Sequence, residues 1–259
     1  MGAYDENTIT QLVTEIYQLQ IKLCAIEADQ VAFPPDGGHD INVELCESLH
    51  YSPAVISLMK KLPYPKKREM QLDISLLPQG FPLVYTDDLD IELGRDPQNA
   101  PSGGLEPLRL DFLLPQDVAL TLMYTRDGVS HILDTQDGKL LPTPALACLS
   151  LMFQLGTIRL FRPQGYPPAS EGYQYERPDD TFHYRNWPPQ DAETYLRDLV
   201  NNIKTLKSIP CSLYPYYFDI DEPDVQSEMK EIIESYGWPD QFRRDEWKSR
   251  MEEHWQDTM

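Results

Sequence analysis

The chain has 259 residues with 42 acidic and 22 basic side chains, and its formal net charge is −20 at pH 7. A charge of that sign repels nucleic acids and anionic membranes, so we expect no partner of either kind, while cationic proteins are attracted. Four widely spaced cysteines without a C-x-x-C pair, and an N-terminus (MGAYDENTIT) without a secretory signal, predict a cytoplasmic or nuclear protein with reduced thiols.

Three helices are predicted at the start of the chain. The first spans Thr8–Gln30, where apolar residues recur at spacings of three and four. This seam lasts for less than three heptads, which favours packing inside the protein over a coiled-coil dimer. Shorter helices follow at Ile41–Ser48 and Ser52–Leu62, the latter with Ser52 as N-cap and Pro53 at its first position.

Strands are predicted in the middle of the chain. The candidates are Phe81–Thr86, Leu89–Leu93, Leu108–Leu114 and a hairpin. In the hairpin, Val118–Thr125 turns at Asp127-Gly128, and Val129–Thr135 returns to a second turn at Gln136-Asp137-Gly138. An Asp-Gly pair between strands supplies the positive φ angles that a tight hairpin turn requires.

The remaining chain is predicted to be mostly helical. Thr143–Phe153 is an apolar helix, whereas Arg162–Trp187 is rich in Pro, Tyr, Asp and Gly and is either an ordered cover over a groove or a linker, with partial order favoured. Amphipathic helices follow at Asp191–Lys207 and Pro223–Tyr236, and Pro239 opens a last helix.

This order of elements predicts an α+β fold, in which N-terminal and C-terminal helices pack on a central antiparallel sheet. We expect one compact domain over residues 1–259. It is helical at 8–62, forms the sheet at 72–141 and is helical again at 143–256, with a Pro/Tyr-rich excursion at 162–187.

No catalytic motif stands out. The chain contains no G-x-S-x-G elbow, no P-loop and no G-x-G-x-x-G fingerprint, and its five histidines share no metal-ligand spacing. His39, Asp40 and Glu44 lie at a predicted loop–helix junction, where a helix cap by Asp40 explains them more simply than a cation does. We therefore predict no catalytic residues, no metal and no cofactor, and we favour a non-enzymatic role over an enzyme.

Two clusters of charged residues, one acidic and one basic, are candidate sites. An acidic run lies along one strand-like stretch, where alternation would send its side chains to both faces. The members of this run are Asp87, Asp88, Asp90 and Glu92. A basic patch interrupts the acidity and is explained best as a local salt-bridging surface. Its members are Lys60, Lys61, Lys66, Lys67 and Arg68.

An aromatic and acidic strip ahead of the helix at 223 is the predicted partner-binding surface. Such a strip suits a cationic protein or peptide through cation–π and charge attraction, although packing of a proline-bound loop explains the aromatic residues equally well. The strip consists of Tyr214, Tyr216, Tyr217, Asp219, Asp221 and Asp224. Together, the excess of acidic residues and the absence of a catalytic motif predict a non-enzymatic intracellular protein-interaction module with an acidic surface for a cationic partner.

The alternative is an enzyme or small-ligand-binding protein with a pocket between the sheet and the Tyr-rich segment. Carboxylates and a histidine such as His131 or His183 would then supply acid–base chemistry. The candidate pocket residues are His131, His183, Tyr173, Tyr175 and Trp187. His131 is also explained as a strand residue that faces its neighbour in the hairpin.

Several strings resemble segments of acidic proteins of filamentous fungi to which no function is assigned. These strings are GHDIN with a following cysteine (Gly38–Cys46), SLMKKLPYP (Ser57–Pro65), HILDTQDGKL (His131–Leu140) and YGWPDQFRRDEW (Tyr236–Trp247). The order of helices before sheet and the hairpin ending LDTQDGK also resemble the SUKH superfamily of fungal cell-wall regulators and bacterial immunity proteins. That resemblance implies a non-enzymatic, partner-binding role, although Lys61-Leu62-Pro63 departs from the family's glutamate–leucine–proline segment.

Overall fold

The structure, a computed structural model, describes residues 4–66, 76–78, 80–97, 107–122, 129–144, 184–186, 189–210 and 223–256. These residues form helices and antiparallel sheets, and helices pack against the sheet, so the predicted α+β fold is confirmed. The prediction of one domain over residues 1–259 stays a prediction.

Helix α1 spans Glu6–Lys22, and it is shorter than the predicted Thr8–Gln30. It starts early because the Asp5 carboxylate accepts hydrogen bonds from two backbone amides of the first turn. It ends at Lys22 because Cys24 adopts a left-handed φ of 61°, which an α-helix cannot accommodate. The chain then forms a single 3₁₀ turn at Ala28–Gln30.

Two short helices follow a small strand pair. Strand β1 (Val31–Ala32) pairs antiparallel with β2 (Tyr64–Pro65). Helix α2 spans Val43–Ser48, and its N-cap is Asn42 rather than Asp40, because the Asn42 side chain accepts from the Leu45 amide at 3.1 Å. Helix α3 spans Pro53–Lys61, with the predicted Ser52 cap.

Three predictions between 81 and 114 are wrong. Only Phe81–Pro82 of the first predicted strand is a strand (β3). The predicted strand at Leu89–Leu93 lies in helix α4 (Asp88–Leu93), because Asp87 caps this turn and the Asp90 carboxylate folds back to accept from the Val84 amide at 2.8 Å. Residues 108–114 form turns and bends, because their carbonyls wrap around the side chain of Arg95.

The main sheet has four antiparallel strands in the order β4-β6-β7-β8. Their bounds are Asp117–Ala119 for β4, Val129–Asp134 for β6, Lys139–Pro144 for β7 and Gln190–Asp191 for β8. Val118 lies opposite Leu133, and Leu133 lies opposite Leu140. Strand β5 (Thr121–Leu122) pairs with β3 instead, so Val118–Thr125 is not one continuous strand.

The second hairpin turn is found as predicted, with Gly138 at a φ of 64°. The first turn, at Asp127-Gly128, lies outside the described residues. The predicted helix at Thr143–Phe153 begins wrongly, because Thr143 and Pro144 belong to β7, where Thr143 pairs with Ser130. Residues 145–153 of that prediction lie outside the described part of the chain, as does most of the excursion at 162–187.

The C-terminal helices are α5 (Ala192–Lys204), α6 (Pro223–Ser235) and α7 (Arg244–Gln256). Asp191 caps α5 by accepting from the Thr194 amide at 3.0 Å. Gly237, at a φ of 88°, follows the end of α6 as a left-handed cap. The last helix begins at Arg244 and not at Pro239, because residues 236–241 form turns.

The apolar core joins the N-terminal helices to the C-terminal ones. Helix α1 packs against α3 and α5, and α5 packs on β7 and β8. Two tryptophans attach the last helices: the Trp238 indole donates to the Lys204 carbonyl and the Trp247 indole to the Leu23 carbonyl, both at 2.8 Å. None of the helices in the described residues is both long and apolar enough to cross a membrane.

Candidate functional site

His131 lies at the centre of a buried polar cluster on the main sheet. Its Nδ1 is 2.8 Å from the Thr121 hydroxyl, and its Nε2 is 3.2 Å from the Tyr195 hydroxyl of α5. Burial lowers the pKa of His131 to about 3, because the charged imidazolium would be removed from water. A neutral imidazole that donates through one nitrogen and accepts through the other connects sheet and helix, and its basicity is too low for a general base near neutral pH.

A second buried cluster surrounds Asp117 on β4. Asp117 lies opposite Asp134 of β6, and Arg185 Nη2 is 2.7 Å from one carboxylate and 3.2 Å from the other. The Tyr184 hydroxyl also donates to Asp117 and accepts from the Leu114 amide at 3.1 Å. Burial outweighs the attraction of Arg185 and raises the pKa of Asp117 to about 6.

A third cluster supports helix α4 from inside. The Arg95 side chain is buried, and its guanidinium lies over the ring of Tyr51 and donates to backbone carbonyls of residues 110, 113 and 114. The Tyr51 and Tyr85 hydroxyls donate to the carbonyls of Ile91 at 2.9 Å and Ala119 at 2.6 Å. Burial raises the pKa of both phenols, so they act as hydrogen-bond donors and not as acids.

The outer side of α2 and α4 carries a different kind of polar surface. The two helices pack side by side, and the Asn42 amide joins them by donating to the Asp88 carboxylate at 3.0 Å. Leu89 is 44 % exposed beside these carboxylates and adds apolar area to the surface. We call this region the α2–α4 acidic surface, and it comprises Glu44, Glu47, Asp88, Leu89 and Glu92.

The carboxylates of the α2–α4 acidic surface form no ion pair with any lysine or arginine of the described residues. Acidic residues elsewhere in the described part of the chain do form ion pairs with lysine or arginine. Examples of these ion pairs are Glu6–Lys61, Glu15–Lys204, Glu27–Lys248, Glu193–Arg197 and Glu246–Arg243. The α2–α4 acidic surface is therefore a region where neighbouring carboxylates of two helices have no cationic partner among the described residues.

The acidic run was visible in the sequence, but its geometry was predicted wrongly. A strand would have sent alternate carboxylates to opposite faces, whereas helix α4 places Asp88 and Glu92 one turn apart on the same side. Asp90 points inward and is fully buried. The cap at Asp87 and the spacing of four between the exposed acids are the signals that could have identified this surface.

The residues predicted as sites fall mostly outside the described part of the chain. His131 is described, and it lies on strand β6 of the main sheet. The members of the aromatic and acidic strip that lie outside are Tyr214, Tyr216, Tyr217, Asp219 and Asp221, together with the side chain of Asp224. The pocket residues that lie outside are Tyr173, Tyr175, His183 and Trp187. Both predictions stay predictions.

The described residues also bear on metal and basic sites. They contain no group of three or more His, Cys, Asp or Glu residues placed to hold a metal ion. In the predicted basic patch, Lys61 pairs with Glu6 of α1, as a salt-bridging surface requires, whereas Lys67 and Arg68 lie outside the description.

Comparison with protein-family models, with curated proteins and with solved structures gives no match.

Proposed function

We propose that the protein is a non-enzymatic interaction module and that its α2–α4 acidic surface binds a cationic segment of a partner protein. The observation that carries the proposal is the distribution of ion pairs. The carboxylates of the α2–α4 acidic surface have no cationic partner among the described residues. Several acids on α1, α5 and α7 do have one, namely Glu6, Glu15, Glu193 and Glu246. A partner's lysines and arginines would supply the missing positive charge.

The shape and composition of the surface favour a protein segment over a small cation. The acids are spread over two helices, so that a ligand must be long enough to reach both. Leu89 adds exposed apolar area, and covering it contributes about 25 cal/mol for each Å² removed from water. A segment with alternating basic and apolar side chains would satisfy both features, and a simple amine or metal ion would satisfy only the charge.

The buried polar clusters support a binding role over catalysis. His131, Asp117 and Arg95 are enclosed by hydroxyls, carboxylates and backbone carbonyls of the protein itself. These contacts hold strands, turns and helices together. In the described residues, the side chains of His131, Asp117 and Arg95 therefore stabilise the fold.

The cytoplasm or nucleus is the compartment that we assign to this module. Cys24 and Cys46 carry free thiols, which such a reducing compartment preserves. The resemblance to the SUKH superfamily stays a prediction, and the partner-binding role that it implies is of the same kind as the one proposed here.

The proposal is tested by calorimetric titration with a synthetic peptide of alternating lysine and leucine residues. We expect the triple variant Glu44→Gln, Glu47→Gln, Glu92→Gln to bind about tenfold more weakly than wild type, because exposed charge pairs contribute roughly 0.2–1 kcal/mol each. Binding of the wild type should also weaken as salt is added.

Two controls separate a specific surface from general acidity. The matched variant Asp198→Asn, Glu228→Gln, Glu231→Gln removes the same charge from exposed positions on α5 and α6 and should bind like wild type. A peptide with serine in place of leucine should bind more weakly, because it leaves Leu89 uncovered. Equal losses in the two triple variants would contradict a binding site at α2 and α4.

A further inference from the structure

Among the described residues, the cluster around Asp117 contains more buried negative than positive charge. The side chains of Asp117 and Asp134 are 0 % and 3 % exposed, and they share one guanidinium, that of Arg185. With both acids ionised, this group of three would carry a net charge of −1 away from water. A low-dielectric interior disfavours such a charge, so that uptake of one proton from solvent makes the cluster neutral.

Burial and contacts identify Asp117 as the carboxylate that takes the proton, because its removal from water raises its pKa. Asp134 Oδ1 accepts from the backbone amides of Gln136 and Asp137 at 2.8 and 3.2 Å, so that this carboxylate is held by the turn after β6. Asp117 accepts from the Tyr184 hydroxyl and from Arg185, both of which belong to the 3₁₀ turn at Tyr184–Asn186. Asp117 thus bonds to both Tyr184 and Arg185 of that turn, whereas Asp134 bonds to Arg185 alone, so the ionisation of Asp117 is coupled to how the turn is placed.

We propose that Asp117, Asp134 and Arg185 form a proton-regulated clasp that attaches the Tyr184–Asn186 turn to strands β4 and β6. When Asp117 holds a proton, the closed clasp is neutral and the turn is firmly attached. When Asp117 is ionised, the closed clasp buries an excess negative charge, and opening of the turn lets water reach the carboxylate. The clasp therefore tightens in acid and loosens as the pH rises.

The pKa of Asp117, raised to about 6 by burial, gives the pH range of this change. In an open clasp the carboxyl would titrate near its ordinary value of 3.8. The extra stability of the closed form is then fully present below pH 3.8 and is lost as the pH rises through about 6. Physiological changes between mildly acidic and neutral conditions fall in this range.

The groups that face Asp117 from each neighbouring element agree with this assignment. Tyr184 and Arg185 face it from the 3₁₀ turn, and Asp134 faces it from β6. Lys139 of β7 lies in register with Asp134, but its ammonium is 3.5 Å from the Asp191 carboxylate at the start of α5. Among the described residues, Arg185 is thus the cation that contacts the acid pair.

The direct test is an NMR titration of the full-length protein, in which the side-chain carboxyl carbon of Asp117 is followed between about pH 3 and pH 8. We expect a titration midpoint of about 6. The variant Asp134→Asn keeps the side-chain shape and removes the neighbouring negative charge, so it should lower that midpoint. A wild-type midpoint near the ordinary aspartate value of about 4 would overturn the proposal.

A second measurement tests whether the proton controls attachment of the turn. The Leu114 amide donates to the Tyr184 hydroxyl, so its hydrogen exchange reports on the closed clasp. After correction for intrinsic exchange, its protection should fall about tenfold between about pH 5 and pH 7 in wild type, and it should not change in Asp117→Asn. Protection that is independent of pH in wild type would show that Asp117 ionises without loosening the turn, which would contradict the clasp.

Discussion

The main sheet and the α2–α4 acidic surface use polar residues in opposite ways. In the sheet, Asp117 and His131 are buried, and their hydrogen-bonding atoms contact groups of the protein itself. On α2 and α4, Glu44 and Glu47 are exposed and Glu92 is half-buried, and none of the three has a cationic partner in the described residues. Removal of a charge should therefore destabilise the fold in the first region and change only binding in the second.

The largest expected effect is the loss of the cation in the sheet. Arg185→Ala leaves Asp117 and Asp134 buried without their guanidinium, and removal of one partner from a buried pair costs about 4 kcal/mol. The free energy of unfolding should be measured by urea denaturation near neutral pH. Arg197→Ala is the matched control, because its pair with Glu193 is exposed, and this variant should unfold like wild type. Similar losses in both variants would remove the distinction between buried and exposed charges.

A somewhat smaller effect concerns acid stability. The pKa of His131 is about 3 in the folded protein, against an ordinary value of 6.5, so its stabilising contribution is present above pH 6.5 and is lost as the pH falls towards 3. Between about pH 7 and pH 4 this loss amounts to about 3 kcal/mol, and His131→Gln should not show it. The measurement is the unfolding free energy of both proteins against pH. Parallel curves would show that His131 is not buried in its neutral form.

Asp117 acts with the opposite sign in the same pH range, since its raised pKa adds stability as the pH falls from about 6 to 3.8. The two titrations therefore partly offset each other in the wild type. Asp117→Asn should consequently make the acid-side loss of stability steeper, and Asp117→Asn combined with His131→Gln should make it shallower than in the single variant.

Substitution of Gly94 tests whether the buried core supports the α2–α4 acidic surface. A Cβ at this position would lie 2.7 Å from the Tyr85 hydroxyl and 2.8 Å from that of Tyr51, both of which are held in the core. Gly94→Ala should therefore displace the end of α4 and destabilise the protein by about 2 kcal/mol, as overpacking does. Peptide binding should weaken as well, because Asp88 and Glu92 move with α4. A variant that is destabilised but binds normally would show that the acidic surface does not depend on this support.

The smallest expected effect on stability is that of the acidic surface itself. Glu44→Gln, Glu47→Gln and Glu92→Gln, alone or together, should leave the unfolding midpoint unchanged within experimental error, because exposed charges without partners contribute little to folding. A marked loss of stability would show that these carboxylates have structural partners.

The sequence predicted those elements whose signals are local. Helix α5 follows from its apolar stripe and from Asp191, which caps it, and the turn before β7 follows from Gly138. Helix α4 was missed because six residues are too few to establish a helical period. The turns at 108–114 were missed because their backbone carbonyls accept hydrogen bonds from the Arg95 side chain. The apolar pattern of these residues does not reveal that contact.

The candidate sites were harder to predict, because they depend on distant parts of the chain. Arg185 reaches Asp117 across 68 positions, and Tyr51 reaches Ile91 across 40. No spacing rule relates residues so far apart. The histidine in the sheet was identified as a candidate, but its basicity is set by burial, which the hairpin pattern alone does not reveal.

The proposed binding surface is tested most directly by NMR mapping of the lysine–leucine peptide on the isotope-labelled full-length protein. We predict that the largest shifts in backbone amide resonances fall within Val43–Ser48 and Asp88–Leu93, and that they disappear in the triple variant of Glu44, Glu47 and Glu92. Shifts that are spread evenly over all acidic helices, or that are centred on Pro223–Ser235, would contradict the assignment of the α2–α4 acidic surface as the binding site.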